Sequence, residues 1–197
     1  MKEITRSEMD IVLKLVKSPE ADYNANSLSK AIGISAMGAL KILKRLEHES
    51  ILKSKKIGKA VIYRVNMENS YARRYVSLIL SREAVHSSPQ VKRWVEELKK
   101  IKKAEVVVLF GSVLEKPNPN DVDVLLLTDQ KRFPKLQQEI KELNEINIKK
   151  IHPLYQTHSD IIKNIKKKDK PLLNAIKGIV VAGEEKFLEI CNESRQE

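Results

Sequence analysis

The sequence predicts a mixed α+β / α/β protein in two domains, a small helical domain with a hairpin followed by a small α/β domain. Two observations carry this. Within residues 1–66, three short segments with helical apolar spacing precede two short strand-like runs separated by Lys55-Lys56-Ile57-Gly58-Lys59. Further on, the runs Val106–Phe110 and Asp121–Leu127 stand among helical segments, and Val-rich runs this short, bounded by loop residues, read as strands buried on both faces. A helical connector over 67–88 is expected between the two domains, 1–66 and 89–197.

Charge narrows the class of partner. The 197 residues carry a net charge of +11, with 42% hydrophobic and 32% charged residues. That is enough apolar material for an ordinary core, and the basic excess favours a polyanion, nucleic acid before anionic membrane. Cys191 is the sole cysteine, which excludes an intrachain disulfide or a Cys-based zinc site and fits a reducing compartment. No apolar run reaches a membrane span, and the Met-Lys-Glu-Ile-Thr-Arg start lacks a leader's apolar core. The expectation is a cytoplasmic protein with no membrane partner.

In the first domain, Ser7 is expected to cap a helix carrying Met9, Ile11, Val12, Leu13, Leu15 and Val16, stopped at Ser18-Pro19. Asn26-Ser27 opens a second helix that ends at Gly33, and Ser35 caps a third running to about Glu49. Two helices joined by a tight turn containing Gly form a helix-turn-helix pattern. At 100° per residue, Ala36, Ala39, Leu40, Ile42, Leu43 and Leu46 share one face of the third helix. Lys41, Lys44, Arg45 and His48 share the other, with Met37 near its start. Such a stripe is either a solvated face or a surface that reads base edges with early residues and phosphates with later ones. The following segment favours the second: Ile51–Ser54 and Val61–Val65 read as strands around a basic tip. Residues 5–66 thus resemble the winged helix-turn-helix regulators, and residues 1–66 hold 13 Lys/Arg against 7 Asp/Glu. The resemblance implies double-stranded DNA as partner, contacted by Ser35, Met37, Lys41, Lys44 and Arg45 on the third helix and Lys55, Lys56 and Lys59 on the hairpin.

In the connector, Tyr71, Tyr75, Val76, Ile79 and Leu80 recur at helical spacing up to Ser87-Ser88-Pro89. Tyr71, Tyr75 and Ile79 are open to a second role as the stripe of a homodimer. The next helix carries Val91, Trp94, Val95, Leu98 and Ile101, which makes Trp94 a core anchor.

The second domain holds the residues with chemistry. Alternate residues on a strand point the same way, so Asp121 and Asp123 project together while Val122 faces the other side. Two carboxylates forced together repel unless a cation lies between them, and a hard divalent ion such as Mg²⁺ is the natural partner of carboxylate oxygens. Ahead of them stands Phe110-Gly111-Ser112 at the end of a strand. Strand, Gly-Ser, loop, Asp-x-Asp, strand resembles the minimal version of the polymerase-β-like nucleotidyltransferase superfamily. The resemblance implies that Asp121 and Asp123 are catalytic and hold Mg²⁺, that Gly111 and Ser112 bind the phosphates of a nucleoside triphosphate such as ATP, and that a nucleoside monophosphate is transferred to a hydroxyl. The chain would then be a DNA-binding transcription regulator with nucleotide transfer or nucleotide binding built in.

Two departures leave activity open. Only eight residues, Val113–Asn120, separate Ser112 from Asp121, and Val113-Leu114-Glu115-Lys116 replaces the usual basic-glycine pair. The strand expected to supply a third carboxylate, Lys149–Tyr155, contains no Asp or Glu, and Asp160 falls in a following helix. His152 on that strand could accept a proton, but a lone His there reads first as a structural or surface residue. A catalytically inactive regulator that uses the fold for ligand binding or assembly, and an antitoxin-like enzyme modifying a partner protein, are the alternatives. The run Lys163–Lys170 reads as a solvated helix face before it reads as an approach for nucleic acid.

Overall fold

The computed structural model describes residues 3–195; the ends of the first and last expected domains, residues 1–2 and 196–197, lie outside them. The architecture is mixed, helices with two separate sheets among the described residues. The chain divides into two compact units, Met1–Ile79 and Leu80–Glu197. Residues 67–79, expected as part of a connector, fall inside the first unit.

The first unit begins with α1 (Arg6–Val16), α2 (Ala25–Ile32) and α3 (Ala36–His48). The caps differ from the expected ones at two of the three starts. Thr5, not Ser7, caps α1, its hydroxyl accepting from the Glu8 N–H. Asn24, not Asn26, caps α2 in a reciprocal capping box, Ser27 N–H to Asn24 Oδ1 and Asn24 N–H to Ser27 Oγ. Ser35 caps α3 as expected, accepting from the Gly38 N–H at 3.0 Å. Gly33 ends α2 with φ 74°, a left-handed closure that a side chain would strain.

Strands β1 (Leu52–Ile57) and β2 (Ala60–Val65) then form an antiparallel hairpin whose turn is Gly58-Lys59. Lys55 and Lys56 therefore belong to the strand rather than to the tip, because the ladder continues to Ile57↔Ala60. The hairpin is extended on one side by a single bridge between Tyr23 and Tyr63. Ile11, Val12, Leu28, Leu43, Leu46 and Leu52 are buried, as are Ala72, Val76 and Ile79 on α4 (Ser70–Arg82), which crosses the division after Ile79.

The second unit has the four-stranded sheet β5-β4-β3-β6, built from β3 (Val106–Phe110), β4 (Val122–Leu127), β5 (Ile151–Gln156) and β6 (Ile179–Ala182). β3 runs antiparallel to β4 and β6, while β4 and β5 are parallel and joined through α6 (Phe133–Ile146). Alternation sets two faces. Val107, Leu109, Val122, Val124, Leu126, Ile179 and Val181 share a core with Trp94, Val95 and Leu98 of α5 (Pro89–Leu98) and Leu136 and Ile140 of α6. Trp94 is a buried anchor, as the spacing predicts. On the other face, α8 (Lys170–Ala175) and α9 (Glu184–Glu193) pack against β3, and α7 (His158–Lys166) packs against both of those helices. Lys166, Lys167 and Lys168 are exposed at the end of α7. No helix among the described residues is long and apolar enough to cross a membrane.

Candidate metal centre and basic surface

The strand register decides which side chains meet. β3 and β4 pair with Phe110 opposite Asp123, and β4 and β5 pair with Asp123 beside His152. The end of β3 and the starts of β4 and β5 therefore lie together at one edge of the sheet. Asp121 precedes β4 by one residue and Asp123 is its second, so their carboxylates project on the same side, as alternation requires. His152, beside Asp123, completes the cluster. One donor atom from each of the three lies within 4.8 Å of the other two.

His152 Nδ1 stands 3.8 Å from Asp123 Oδ1 and 3.9 Å from Asp121 Oδ2. These separations are too long for hydrogen bonds and suit three groups around a shared centre. His152 is a surface residue, as expected, with its ring largely exposed, and it also faces both carboxylates. The expected third carboxylate is absent from this strand, and the imidazole occupies the register position beside Asp123. Burial first, and then the Asp121 charge, hold the Asp123 carboxyl above its usual range, with the nearby His152 pulling the other way. Two acidic groups are thus kept close at an electrostatic cost that a cation would remove.

Gly111 fixes the approach from β3. Its φ is 78°, and a Cβ built there would overlap Asp123 Oδ2 and lie 2.9 Å from Asp123 Cγ. Gly111 was expected to make room for a phosphate; in the structure its missing side chain is the space that the Asp123 carboxylate fills. Ser112 follows in a short 3₁₀ turn, Gly111–Leu114, where its carbonyl accepts from the N–H groups of Glu115 and Lys116 at 3.2 and 2.8 Å. Glu115 and Lys116 are exposed.

The lysines ahead of β5 hold the two arms of the cluster in place. Lys149 Nζ donates to Asn118 Oδ1 at 2.5 Å and to the Pro119 carbonyl at 2.6 Å, so it ties down the loop that delivers Asp121. Lys150 Nζ donates to the carbonyls of Asn144 and Asn147, and the Val122 N–H donates to the Lys150 carbonyl at 3.0 Å. Asn144 Oδ1 accepts from the Ile151 N–H at 2.7 Å, fixing the start of β5 one residue before His152.

The basic candidates of the first unit separate into two groups. Ser35, Met37, Lys41 and Lys44 on α3 are exposed, as are Lys55, Lys56 and Lys59 on the hairpin. Lys44 is paired with Glu47 at 2.9 Å, which raises its pKa through that hydrogen bond. Arg45 does not join this surface. Its guanidinium turns to the buried Glu8 carboxylate of α1 and to Glu49 at 3.1 Å. Tyr75 donates its hydroxyl to the same Glu8, and burial together with that bond raises its pKa strongly. Tyr75 and the fully buried Ile79 therefore serve the interior of the first unit, which removes two of the three residues of the expected dimer stripe; Tyr71 remains exposed.

Residues 51–195 match the family described as Family of unknown function (DUF6932), and the chain belongs to that family. Comparison with curated proteins gives no match. Among solved structures, the chain is similar to two mutants of Lactococcus lactis ZitR. The first is 17% identical at a TM-score of 0.35, covering 51% of this chain and 64% of that one. The second is 13% identical at 0.29, covering 49% and 71%. At these scores neither likeness bears on function.

Proposed function

We propose that this chain is a DNA-binding regulator, with a winged helix-turn-helix first unit and a polymerase-β-like nucleotidyltransferase fold in the second, that takes a nucleoside triphosphate together with a divalent cation. The convergence of Asp121, Asp123 and His152 at the sheet edge, against the Gly111 turn, carries the reading of the second unit. A triphosphate brings its own negative charge to this cluster, so a bridging divalent ion is what makes its binding favourable. The exposed Met37 and Lys41 of α3, with Lys55, Lys56 and Lys59 on the hairpin, support duplex DNA as partner of the first unit.

His152 supports a second reading of the same site, in which the nucleotide is bound but not transferred. A third carboxylate would both complete an all-oxygen metal set and accept the proton of an attacking hydroxyl. An imidazole that coordinates a metal through Nδ1 is not free to accept that proton at the same atom. The test is incubation of the full chain with labelled ATP, a divalent ion and candidate hydroxyl acceptors, beside calorimetry of ATP binding, for wild type and Asp121→Ala/Asp123→Ala. Transfer lost in the double variant supports the enzyme. Binding without transfer supports the sensor, and absence of both removes the nucleotide reading.

A further inference from the structure

The donor set at the sheet edge fits Mg²⁺ poorly. Mg²⁺ requires near-ideal octahedral oxygen coordination and keeps several of its waters, whereas imidazole nitrogen suits zinc and other first-row transition ions. Asp121 and Asp123 offer oxygens of the kind Mg²⁺ accepts, but the third donor here is the Nδ1 of His152. We infer that Asp121, Asp123 and His152 form a three-ligand site selective for a borderline transition ion, of which Zn²⁺ is the archetype, over Mg²⁺. This rests on the proposed metal-and-nucleotide site and names its metal class.

The two His152 separations are compatible with that class. A tetrahedral ion with bonds of about 2.0–2.1 Å places its ligand atoms about 3.3 Å apart. The Nδ1–oxygen separations of 3.8 and 3.9 Å close to that value by a movement of about half an ångström. His152 and Asp121 are free to make it, since both are partly or largely exposed, whereas Asp123 is wedged against Gly111 and acts as the fixed post. Three protein ligands leave the fourth position of a tetrahedral ion open, the arrangement of catalytic rather than structural zinc. A phosphate oxygen of a bound nucleotide would enter there. The anchors behind the ligands are those of a held site: Asn144 pins the start of β5 and Lys149 the loop before Asp121.

The experiment titrates the metal-free full-length chain with Zn²⁺ and with Mg²⁺ by calorimetry, in wild type, His152→Ala, His152→Gln, His152→Asp and Asp123→Asn. Melting curves check that each variant folds; the exposure of His152 favours tolerance, and Gln covers the case in which Ala does not fold. Removing an outer-shell partner typically costs 10–100-fold in metal affinity, so removing a direct ligand is expected to weaken Zn²⁺ by about 100-fold or more. His152→Ala and His152→Gln should do so while leaving Mg²⁺ unchanged, His152→Asp should strengthen Mg²⁺ while weakening Zn²⁺, and Asp123→Asn should weaken both. Zn²⁺ affinity equal in wild type and the His152 variants would overturn the inference, since the exposed imidazole would then be no ligand. A parallel ATP titration separates the two proposals. ATP bound with Mg²⁺, together with Zn²⁺ affinity that is indifferent to His152, keeps the nucleotide reading and removes the zinc preference. His152-dependent Zn²⁺ binding with no ATP binding keeps the metal site and removes the nucleotide.

Discussion

Gly111→Ala tests the wedge at the metal cluster most sharply, because the expected cost has two separable parts. The first is backbone: Gly111 has φ 78°, and an L-residue held in the left-handed region costs about 1–2 kcal/mol. The second is steric. The new Cβ overlaps Asp123 Oδ2 and lies 2.9 Å from Cγ and 3.1 Å from Cβ of Asp123, so the carboxylate must swing aside; an off-rotamer torsion costs about 0.5–1.5 kcal/mol. Together the variant should lose about 1.5–3.5 kcal/mol, which in a unit spanning Leu80–Glu197 lowers the melting point by roughly 6–14 °C. Zn²⁺ affinity should fall as well, since the displaced group is a ligand. Urea denaturation and calorimetry on Gly111→Ala, Asp123→Gly and the double variant close a double-mutant cycle. The steric part should vanish when Asp123 is trimmed, leaving only the backbone cost. Additive effects, or a Gly111→Ala chain that binds metal as well as wild type, would refute the wedge.

Arg45→Met should destabilise the first unit by about 3–5 kcal/mol, because it leaves the Glu8 carboxylate buried without its cation, whereas Lys41→Ala should stay within about 0.5 kcal/mol of wild type as an exposed substitution; chemical denaturation measures both. Asp123→Asn, in chelator, should raise the melting point at neutral pH. The folded-state pKa of Asp123 lies above its unfolded value, so its ionisation opposes folding: the penalty is absent below the ordinary carboxylate range, sets in as pH rises through it, and is complete above the raised value. The advantage of Asn should therefore disappear in acid, which melting curves across pH will show. Lys55→Ala/Lys56→Ala/Lys59→Ala should weaken duplex binding at low salt and reduce the slope of log affinity against log salt by about 0.9 for each phosphate no longer neutralised, as read from gel shifts over a salt series.

Much of the sheet was legible because its signals are local. Val106–Phe110 and Val124–Leu127 are continuous apolar runs that no exposed strand would carry, and both lie in β-strands. Ser35 and Gly33 mark helix ends by their own backbone chemistry and do so in the structure. The features that sequence pattern missed share a different cause: each depends on a partner distant in sequence. Arg45 lies on the polar side of α3 by periodicity, but its commitment to Glu8 is made across 37 residues. Tyr75 reaches the same Glu8 across 67. Lys55 and Lys56 look like a turn because they are charged, and only the pairing with β2 reveals them as strand. His152 stands out little along β5, where a carboxylate was the expected third group. Its position one residue into the strand, the same place that Asp123 holds in β4, was the available signal, and it becomes decisive only once the parallel register sets the two side by side.

The most direct test of nucleotide binding at the sheet edge is calorimetry of ATP on the full-length chain, with Zn²⁺ or Mg²⁺ present and then with chelator, for wild type and Asp121→Asn/Asp123→Asn. One nucleotide should bind per chain, only with a divalent ion, and none should bind in the double variant. ATP binding that survives the chelator and the double substitution, or no binding under any condition, would contradict the proposed site.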